Sequence, residues 1–205
     1  ILDTNMLSDI FEHIDQKQAA EYLDEMDVRK AAAILSRMET DAVVDVLRMI
    51  PKEKRALLLE LMDDEARKDM AVIAAFDDEE IGSRMTTNYI EIRENLTVKQ
   101  AMTELVGQAA KNDNISTIFM VTADHTFYGA MDLKDLIIAR QDSALEDLIV
   151  TSYPYVYGHE LIDDCIEKLK DYSEDSIPVL NNNNKLLGVI TSQSIVDLVD
   201  DEMGE

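Results

Sequence analysis

The sequence has a single cysteine and no long apolar run. Because Cys165 is the only cysteine, a framework of disulfide bonds is excluded, and a reducing compartment such as the cytosol fits. No apolar run approaches the roughly 18 residues that a membrane-spanning helix needs, and no signal peptide is recognisable. The sequence begins at Ile1 without a methionine, so we expect it to be a fragment. The missing membrane helices then say nothing about the full protein.

Basic residues are scarce. The 205 residues include 43 acids and only 19 lysines and arginines, which gives a formal charge of −24 at pH 7. Such a charge repels nucleic-acid phosphates and anionic membrane surfaces, and it attracts cations. We therefore expect no nucleic-acid partner, although an acidic surface that only keeps the protein soluble explains the charge equally well. With 46% apolar residues, the chain can still bury hydrophobic cores.

The sequence motifs of common enzymes are also missing. The chain has no Gly-x-Ser-x-Gly, no phosphate-binding Gly-Lys-Ser/Thr loop and no His-Glu-x-x-His. Its histidines, which are His13, His125 and His159, are scattered, and each is more easily explained as a surface or turn residue than as a ligand. These absences predict a protein that is not an enzyme.

The first half contains a repeat of twelve residues. Consecutive units run from Asp9 to Lys68, beginning with DIFEHIDQKQAA and EYLDEMDVRKAA. The third and sixth positions of each unit are apolar, as expected for one face of a helix. They are Phe11, Leu23, Leu35, Leu47 and Leu59, and Ile14, Met26, Met38, Ile50 and Met62. The seventh position holds residues that cap a helix or occupy its first turn, namely Asp15, Asp27, Glu39, Pro51 and Asp63.

Each unit is therefore predicted to be one short helix followed by a tight turn. Such a helix cannot bury its apolar face alone, so we expect the units to stack into a compact α-helical superhelix over residues 1–80. Two interpretations of this domain remain open: a rigid scaffold that presents acidic turns, or a plain helical packing domain. The repeat fades after Lys68, and we predict the domain boundary near Asp77–Arg84.

The second half contains two copies of one pattern. The segments ISTIFMVTADHTFYGAMDLKDLI and DSIPVLNNNNKLLGVITSQSIVDLV align so that Gly129 matches Gly188 and Asp132 matches Thr191. Each segment predicts a strand, a polar turn, a strand and a helix, and each follows an extended run and an amphipathic helix. In the turn NNNNK, asparagine tolerates unusual backbone angles. The unit strand–helix–strand–strand–helix is thus predicted twice, over 85–145 and 146–203.

This pattern resembles the cystathionine-beta-synthase (CBS) domain, which comes in tandem pairs. The resemblance covers Met85 to about Met203 and is most specific in MTTNYIEI and in SIPVL with LLGVIT. The order of helical repeat, acidic segment DDEEIGSRMT and CBS pair resembles the cytosolic part of an MgtE-type magnesium transporter. The implied fold class is α + α/β, with an N-terminal α-helical superhelix of short repeats followed by a tandem CBS-domain pair.

The resemblance implies a homodimeric Mg²⁺ sensor on the cytoplasmic side of an integral cell-membrane protein. The transmembrane domain belongs to the same chain in that family and lies outside this sequence. Magnesium bound between the helical domain and the CBS pair draws the two together and keeps the pore closed. When magnesium falls, the apposed carboxylates repel each other and the domains separate.

The resemblance also implies which residues bind Mg²⁺. The expected ligands are Asp9, Asp41 and Asp45 in the helical domain, a backbone carbonyl at Gly82–Ser83, and Asp163, Asp197, Glu202 and Glu205 on the CBS side. Asp41 and Asp45 lie four residues apart, so both can share one face of a helix. Ser173 and Ser194 stand where the family often has aspartate, so we expect one ion site to be lost, shifted or weakened.

CBS pairs also bind adenine nucleotides, with an aspartate after the turn on the ribose hydroxyls. Asp135, which follows Lys134, occupies that position in the first copy, whereas Ser194 occupies it in the second. Thr117 replaces an aromatic residue that some relatives carry in the adjoining strand. ATP or AMP is therefore a second candidate ligand. The alternative function is an adenine-nucleotide-sensing CBS protein that regulates a partner enzyme, and a purely structural scaffold is a third.

Overall fold

The computed structural model describes residues 4–203, except for the side chains of Glu12, Asp41, Lys52 and residues 200–203. The chain divides between Ala75 and Phe76 into two compact units. The first is called the helical unit and the second the sheet unit. Among residues 4–203, no helix is both long enough and apolar enough to cross a membrane.

The helical unit consists of short helices that follow the twelve-residue repeat. They are α1 (Thr4–His13), α2 (Gln16–Glu25), α3 (Val28–Leu35), α4 (Thr40–Met49), α5 (Lys52–Leu61) and α6 (Asp64–Ile73). The residue before each helix from α2 to α6 is the seventh position of a repeat unit: Asp15, Asp27, Glu39, Pro51 and Asp63. The prediction of one short helix per unit is confirmed.

Each helix packs mainly on the helices two places before and after it in the chain. Helix α3 packs on α1 and α5, while α4 packs on α2 and α6. The apolar residues at the third position are buried in four units, but Leu59 in α5 is only half-buried. Its neighbour Leu58 is fully buried instead. Leu58 and Leu59 lie four and three residues before Met62, so either of them can share its face of the helix. The sequence therefore does not decide which of the two is buried, and the packing of the helices does.

The N-cap of α3 provides a direct test of the repeat. The Asp27 carboxylate accepts hydrogen bonds from the backbone N–H groups of Arg29 (3.1 Å) and Lys30 (3.2 Å). We expect Asp27→Ala to lower the free energy of unfolding of the helical unit by about 1 kcal/mol, because these donors lose their partner. Urea denaturation followed by circular dichroism measures this change.

The matched control is Asp63→Ala. Asp63 occupies the same repeat position before α6, but its side chain makes no capping hydrogen bond. We expect this substitution to change the free energy of unfolding by less than about 0.5 kcal/mol, as for an ordinary surface site. Equal losses in the two variants would show that the capping bond of Asp27 contributes nothing specific.

The sheet unit contains two copies of one arrangement, each with a three-stranded sheet. The first copy comprises β1 (Ile90–Arg93), α7 (Val98–Ala109), β2 (Thr117–Val121), β3 (Phe127–Asp132) and α8 (Leu133–Ile138). The second comprises β4 (Val156–Tyr157), α9 (Ile162–Leu169), β5 (Ser176–Leu180), β6 (Leu186–Thr191) and α10 (Ser192–Met203). Short 3-10 helices lie at Ile81–Arg84 and Leu145–Leu148. The predicted order of strands and helices is confirmed.

The strand register of the two copies is the same. In both sheets the first strand is parallel to the second, which is antiparallel to the third. Met120 pairs with Gly129 in the first copy, and Val179 pairs with Gly188 in the second. Both hairpins also have an irregularity one residue further on, at Val121 and Leu180. The alignment of the two copies from sequence is therefore confirmed at the level of the backbone.

The two copies exchange backbone pairs. Thr86, which precedes the first copy, pairs with Val189 in β6 of the second. Val150, which precedes the second copy, pairs with Ala130 in β3 of the first. One buried cluster contains residues of both copies, among them Phe119 and Leu180. The pair of copies therefore forms a single packed body.

The turns of the two hairpins meet each other. His125 and Asn184 occupy equivalent positions and have φ values of 63° and 60°. Phe127 N–H donates to the Asn184 carbonyl (2.8 Å), and Leu186 N–H donates to the His125 carbonyl (3.3 Å). The left-handed backbone expected of an asparagine in NNNNK is thus found at Asn184.

Candidate functional site

The acids predicted in the helical unit lie on two helices. Asp9 is exposed on α1, and its main-chain carbonyl accepts a hydrogen bond from the His13 ring (2.7 Å). Asp45 lies on α4 and is only partly exposed. Asp41 also lies on α4, four residues earlier, but its side chain is outside the described part of the structure. The backbone therefore agrees with one helix carrying both Asp41 and Asp45.

Asp45 already has partners inside the helical unit. Its Oδ2 accepts a hydrogen bond from Gln16 Nε2 (3.0 Å), and its Oδ1 lies 3.5 Å from Arg48 Nη1. The Arg48 pair is partly exposed and close to the surface, where such pairs contribute at most about 1 kcal/mol. A divalent cation at Asp45 would therefore have to compete with a neighbouring guanidinium, but the competition is modest.

The acids predicted in the sheet unit are spread over α9 and α10. Asp163 is exposed in the first turn of α9, and Asp197 is exposed on α10, where Gln193 Nε2 donates to its Oδ1 (2.8 Å). The backbone of Glu202 continues α10, but its side chain lies outside the described part. Glu205 lies outside the described residues altogether. Ser173, at one of the positions where an aspartate is common, is exposed before β5.

Gly82 and Ser83 lie in the 3-10 helix Ile81–Arg84 and are buried. Gly82 N–H donates to the carbonyl of Gly158 (2.9 Å), and Ser83 Oγ donates to the carbonyl of Asp78 (3.4 Å). The Gly82 carbonyl accepts a long hydrogen bond from Met85 N–H (3.5 Å). A carbonyl oxygen has two lone pairs, so this oxygen keeps capacity for a further contact.

The donor chemistry of the predicted metal residues fits Mg²⁺, which prefers carboxylate and carbonyl oxygens and keeps several waters. Within the described part of the chain, no three His, Cys, Asp or Glu side chains lie close enough together to hold a metal ion. Carboxylates that act through water or come from different parts of the chain are the remaining way to assemble a site.

A charged network beside Gly82 escaped sequence reasoning. The His159 ring lies 2.8 Å from Glu80 Oε1, and Lys168 Nζ lies 2.6 Å from Glu160 Oε2. The backbone N–H of Asp77, and secondarily the His159 ring, lower the pKa of Glu80 below its usual value. Burial raises the pKa of Glu160, but hydrogen bonds from Lys168 and from the Tyr157 N–H outweigh it, and the net shift is downward. The only hint in the sequence is that the acidic run DDEE has the basic partners His159 and Lys168 far along the chain.

The residues predicted to bind a nucleotide lie at or just beyond one end of strands β2 and β3 in the first sheet. Thr117 begins β2 and pairs with Asp132 at the end of β3, directly before Lys134 and Asp135 in α8. Thr117 is buried. The nearby Tyr153 phenol donates to the Ser176 carbonyl (2.8 Å), and burial raises its pKa to about 12. Lys134 is exposed and Asp135 half-buried. The fold thus brings these predicted residues together.

Ser194, the counterpart of Asp135, is used differently. Its Oγ lies 3.0 Å from Thr191 Oγ1, and its N–H donates to the same oxygen (3.2 Å), which caps α10. The capping oxygen is that of Thr191, and the neutral Ser194 hydroxyl is already partnered with it. The two ends of the sheet unit therefore differ in charge at this position.

An open cavity of about 360 Å³ lies between the end of α9 and α10. Leu169, Ile195 and Val199 form its apolar wall, with Lys170 and Glu174 also among its lining. Sequence reasoning missed it, because the residues come from two separate segments. Its walls suit packing against an apolar group better than binding a hydrated ion.

Two family models match the sequence. The model of the MgtE intracellular N domain matches residues 1–79, and the model of the CBS domain matches residues 145–201. The first match coincides with the twelve-residue repeat and the second with the second copy. The helical unit is therefore followed by a CBS pair, as the sequence predicted.

Comparison with known proteins gives the same result over nearly the whole chain. The magnesium transporter MgtE of Thermus thermophilus is 29% identical over 201 residues, which are 97% of this chain and 45% of that protein. The chain thus spans less than half the length of this relative. A crystal structure of the soluble part of a magnesium transporter is 31% identical with a TM-score of 0.90, covering 98% of this chain and 79% of that one.

A second crystal structure, of the cytosolic domain of the Mg²⁺ channel MgtE in complex with ATP, has a TM-score of 0.86 over 96% of this chain and 81% of that one. At 24% identity it supports the fold alone. These relatives are magnesium transporters or channels, or parts of them. The repeat, the paired copies, the two family models and the 31% identity together lead to one conclusion: the chain belongs to the MgtE family of magnesium transporters.

Proposed function

We propose that this chain is the Mg²⁺-sensing regulatory region of a magnesium transporter. In this proposal, Mg²⁺ bound between acidic faces of the helical unit and the sheet unit favours a compact state in which the pore is closed. The observation that carries it is the similarity to the soluble part of a magnesium transporter along 98% of the chain. The charge of −24 and the exposed acids Asp9, Asp163 and Asp197 support it.

The physical basis is the repulsion between carboxylates on two bodies. Like charges at short range disfavour the compact state, and a divalent cation between them reverses the local field. An ion shifts the balance only by its difference in affinity for the two states. Moving a population from 1:99 to 99:1 takes about 5.5 kcal/mol, which several weak sites supply together. A response built from several ions is also steep in magnesium concentration.

A magnesium titration tests this proposal. We expect millimolar Mg²⁺ to reduce the radius of gyration in small-angle scattering and to raise the melting temperature, with both effects reversed by EDTA. When the free Mg²⁺ concentration is a hundred times the dissociation constant of a single site, binding at that site adds about 2.7 kcal/mol to the free energy of unfolding. Titration with NaCl at the same ionic strength is the control, because screening alone also weakens the repulsion. A response to NaCl as large as that to Mg²⁺ would contradict specific binding.

Binding of an adenine nucleotide is the second candidate. The placement of Thr117, Lys134 and Asp135 at one end of the β2–β3 hairpin favours it, and the similar cytosolic domain of MgtE was solved with ATP. Only the first copy carries an acid at this position, so we expect one nucleotide per chain. If micromolar ATP or AMP stabilises the chain while millimolar Mg²⁺ does not, the regulatory ligand is the nucleotide.

The proposal includes the partners of the sensor. Ile137 on α8 and Val196 on α10 occupy equivalent positions of the two copies and are both more than half exposed. Paired apolar positions of this kind favour a homodimer formed through the sheet unit. The curated relatives are about twice as long as this chain or longer, so we place a transmembrane domain of the same protein as the second partner. The sensor then lies on the cytoplasmic side of the cell membrane.

A further inference from the structure

The segment between the helical unit and β1 looks like a linker in the sequence, because it is acidic and contains a glycine. In the structure it is buried and paired. Ile81 and Met85 are fully buried, and Ser83 is 3% exposed. A flexible connector would expose these residues and leave its backbone groups to water.

The backbone of this segment pairs with the second copy. Ile81 N–H donates to the Glu160 carbonyl (2.8 Å), and Ile162 N–H donates to the Glu79 carbonyl (2.9 Å). Gly82 N–H donates to the Gly158 carbonyl (2.9 Å). The partner is therefore the connection between β4 and α9, a part of the second copy. The first copy, which follows in sequence, is not the partner of these bonds.

The Phe76 ring packs against both Gly82 of this segment and Gly158 of the second copy. A Cβ atom built on Gly82 would lie 2.6 Å from this ring, and one built on Gly158 would lie 2.5 Å from it. Neither glycine has a positive φ, so the close approach of the ring, rather than the backbone conformation, requires glycine at both positions. The ring also packs on His159, with centroids 4.9 Å apart, and His159 in turn binds Glu80.

The residues before Phe76 are different. Helix α6 ends at Ile73, and Ala74 and Ala75 are exposed. The division of the chain into its two units falls directly after Ala75. The backbone restraint described above begins only beyond this point.

From these contacts we infer that residues 76–84 are a structural part of the second copy, fixed by the Phe76 ring between Gly82 and Gly158. We also infer that the helical unit pivots after Ala74, whose N–H still donates to the Met70 carbonyl of α6 (2.8 Å). Gly82 and Ser83, which lie inside the predicted domain boundary, then belong to a rigid anchor. If the proposed function holds, this attachment also determines which copy of the sheet unit responds first to the helical unit. A displacement of the helical unit acts first on the loop before α9, whose first turn carries Asp163, and not on the copy that follows in sequence.

Amide hydrogen exchange of the full chain tests this inference without any metal. We expect the amides of Ile81, Gly82 and Ile162 to be protected at least a hundredfold more than the amide of Ala75. Gly158→Ala and, separately, Phe76→Leu should each raise exchange at these three amides at least tenfold, while exchange in α7 is unchanged. Phe76→Leu keeps the site apolar and adds no clash, so it reports on the ring even if Gly158→Ala disturbs folding.

Gly107→Ala is the control, because a Cβ at Gly107 in α7 meets nothing within 4 Å. It should not raise exchange at any of the three amides. Equal exchange at Ala75 and Ile81 in the unmodified chain, or protection that survives both Gly158→Ala and Phe76→Leu, would overturn the inference. Since no Mg²⁺ is present, failure of the magnesium proposal leaves this result standing, and a loose segment 76–84 leaves the magnesium proposal standing.

Discussion

Replacing Asp41 and Asp45 together by asparagine is expected to raise the Mg²⁺ concentration at the midpoint of compaction at least tenfold. Loss of a group that merely supports a metal ligand typically costs ten- to a hundredfold in affinity, so loss of two proposed ligands should cost no less. The measurement is a scattering titration of the D41N/D45N variant beside the unmodified chain.

The variant should remain folded. An asparagine at position 45 keeps an oxygen for Gln16 Nε2 and loses the ion pair with Arg48. This pair is partly exposed, so the loss in free energy of unfolding stays below about 1 kcal/mol. A changed midpoint with nearly unchanged stability then separates metal binding from folding.

The chain offers a control with the same change in charge. Glu21 and Glu25 lie four residues apart on α2, and both are exposed. Glu21→Gln with Glu25→Gln removes two negative charges with the same spacing from the same unit. An equal shift in the two double variants would mean that net charge, and not these particular acids, governs the response. No shift for Asp41 and Asp45 would remove α4 from the sensor.

The local structure of this chain could be predicted because its sequence pattern repeats. The twelve-residue period placed the residue before each helix from α2 to α6, since capping depends on a few neighbouring residues. The alignment of the two copies fixed the strand register, because turn, strand length and apolar pattern act over short distances. Where several apolar residues were equivalent, as at Leu58 and Leu59, packing decided.

Contacts between segments that are distant in sequence could not be predicted from the sequence. The pairs Thr86 with Val189 and Val150 with Ala130 join parts about 100 and 20 residues apart, and no local pattern identifies such partners. The same holds for the candidate site. The helix and the spacing of Asp45 follow from the sequence, but its contact with Gln16 depends on how α2 packs on α4. The roles of the candidate metal residues are therefore predictions, although the structure describes the backbone that carries all of them except Glu205.

The exchange of backbone pairs between the copies leads to the second large expected effect, that of Gly188→Ala. A Cβ at Gly188 would lie 2.7 Å from the Thr86 carbonyl oxygen and 2.8 Å from Met85 Sδ. Thr86 is held by two backbone hydrogen bonds to Val189 (2.9 and 3.0 Å), so its oxygen cannot move aside without breaking them. We expect the free energy of unfolding of the sheet unit to fall by about 1–3 kcal/mol, as for other overpacked interiors.

Gly107→Ala provides the opposite expectation for the same chemical change. Gly107 is exposed inside α7 with free space around it, so alanine there should stabilise the sheet unit by about 0.5–1 kcal/mol. Denaturation followed by hydrogen exchange assigns each change to its unit, because the chain has two units and need not unfold in one step. The exchange should localise the Gly188→Ala effect at Thr86 and β6 and leave α1 to α6 unaffected. A stabilised Gly188→Ala variant would mean that the two copies do not hold each other through this strand, and that the attachment of residues 76–84 to the second copy does not extend to Thr86.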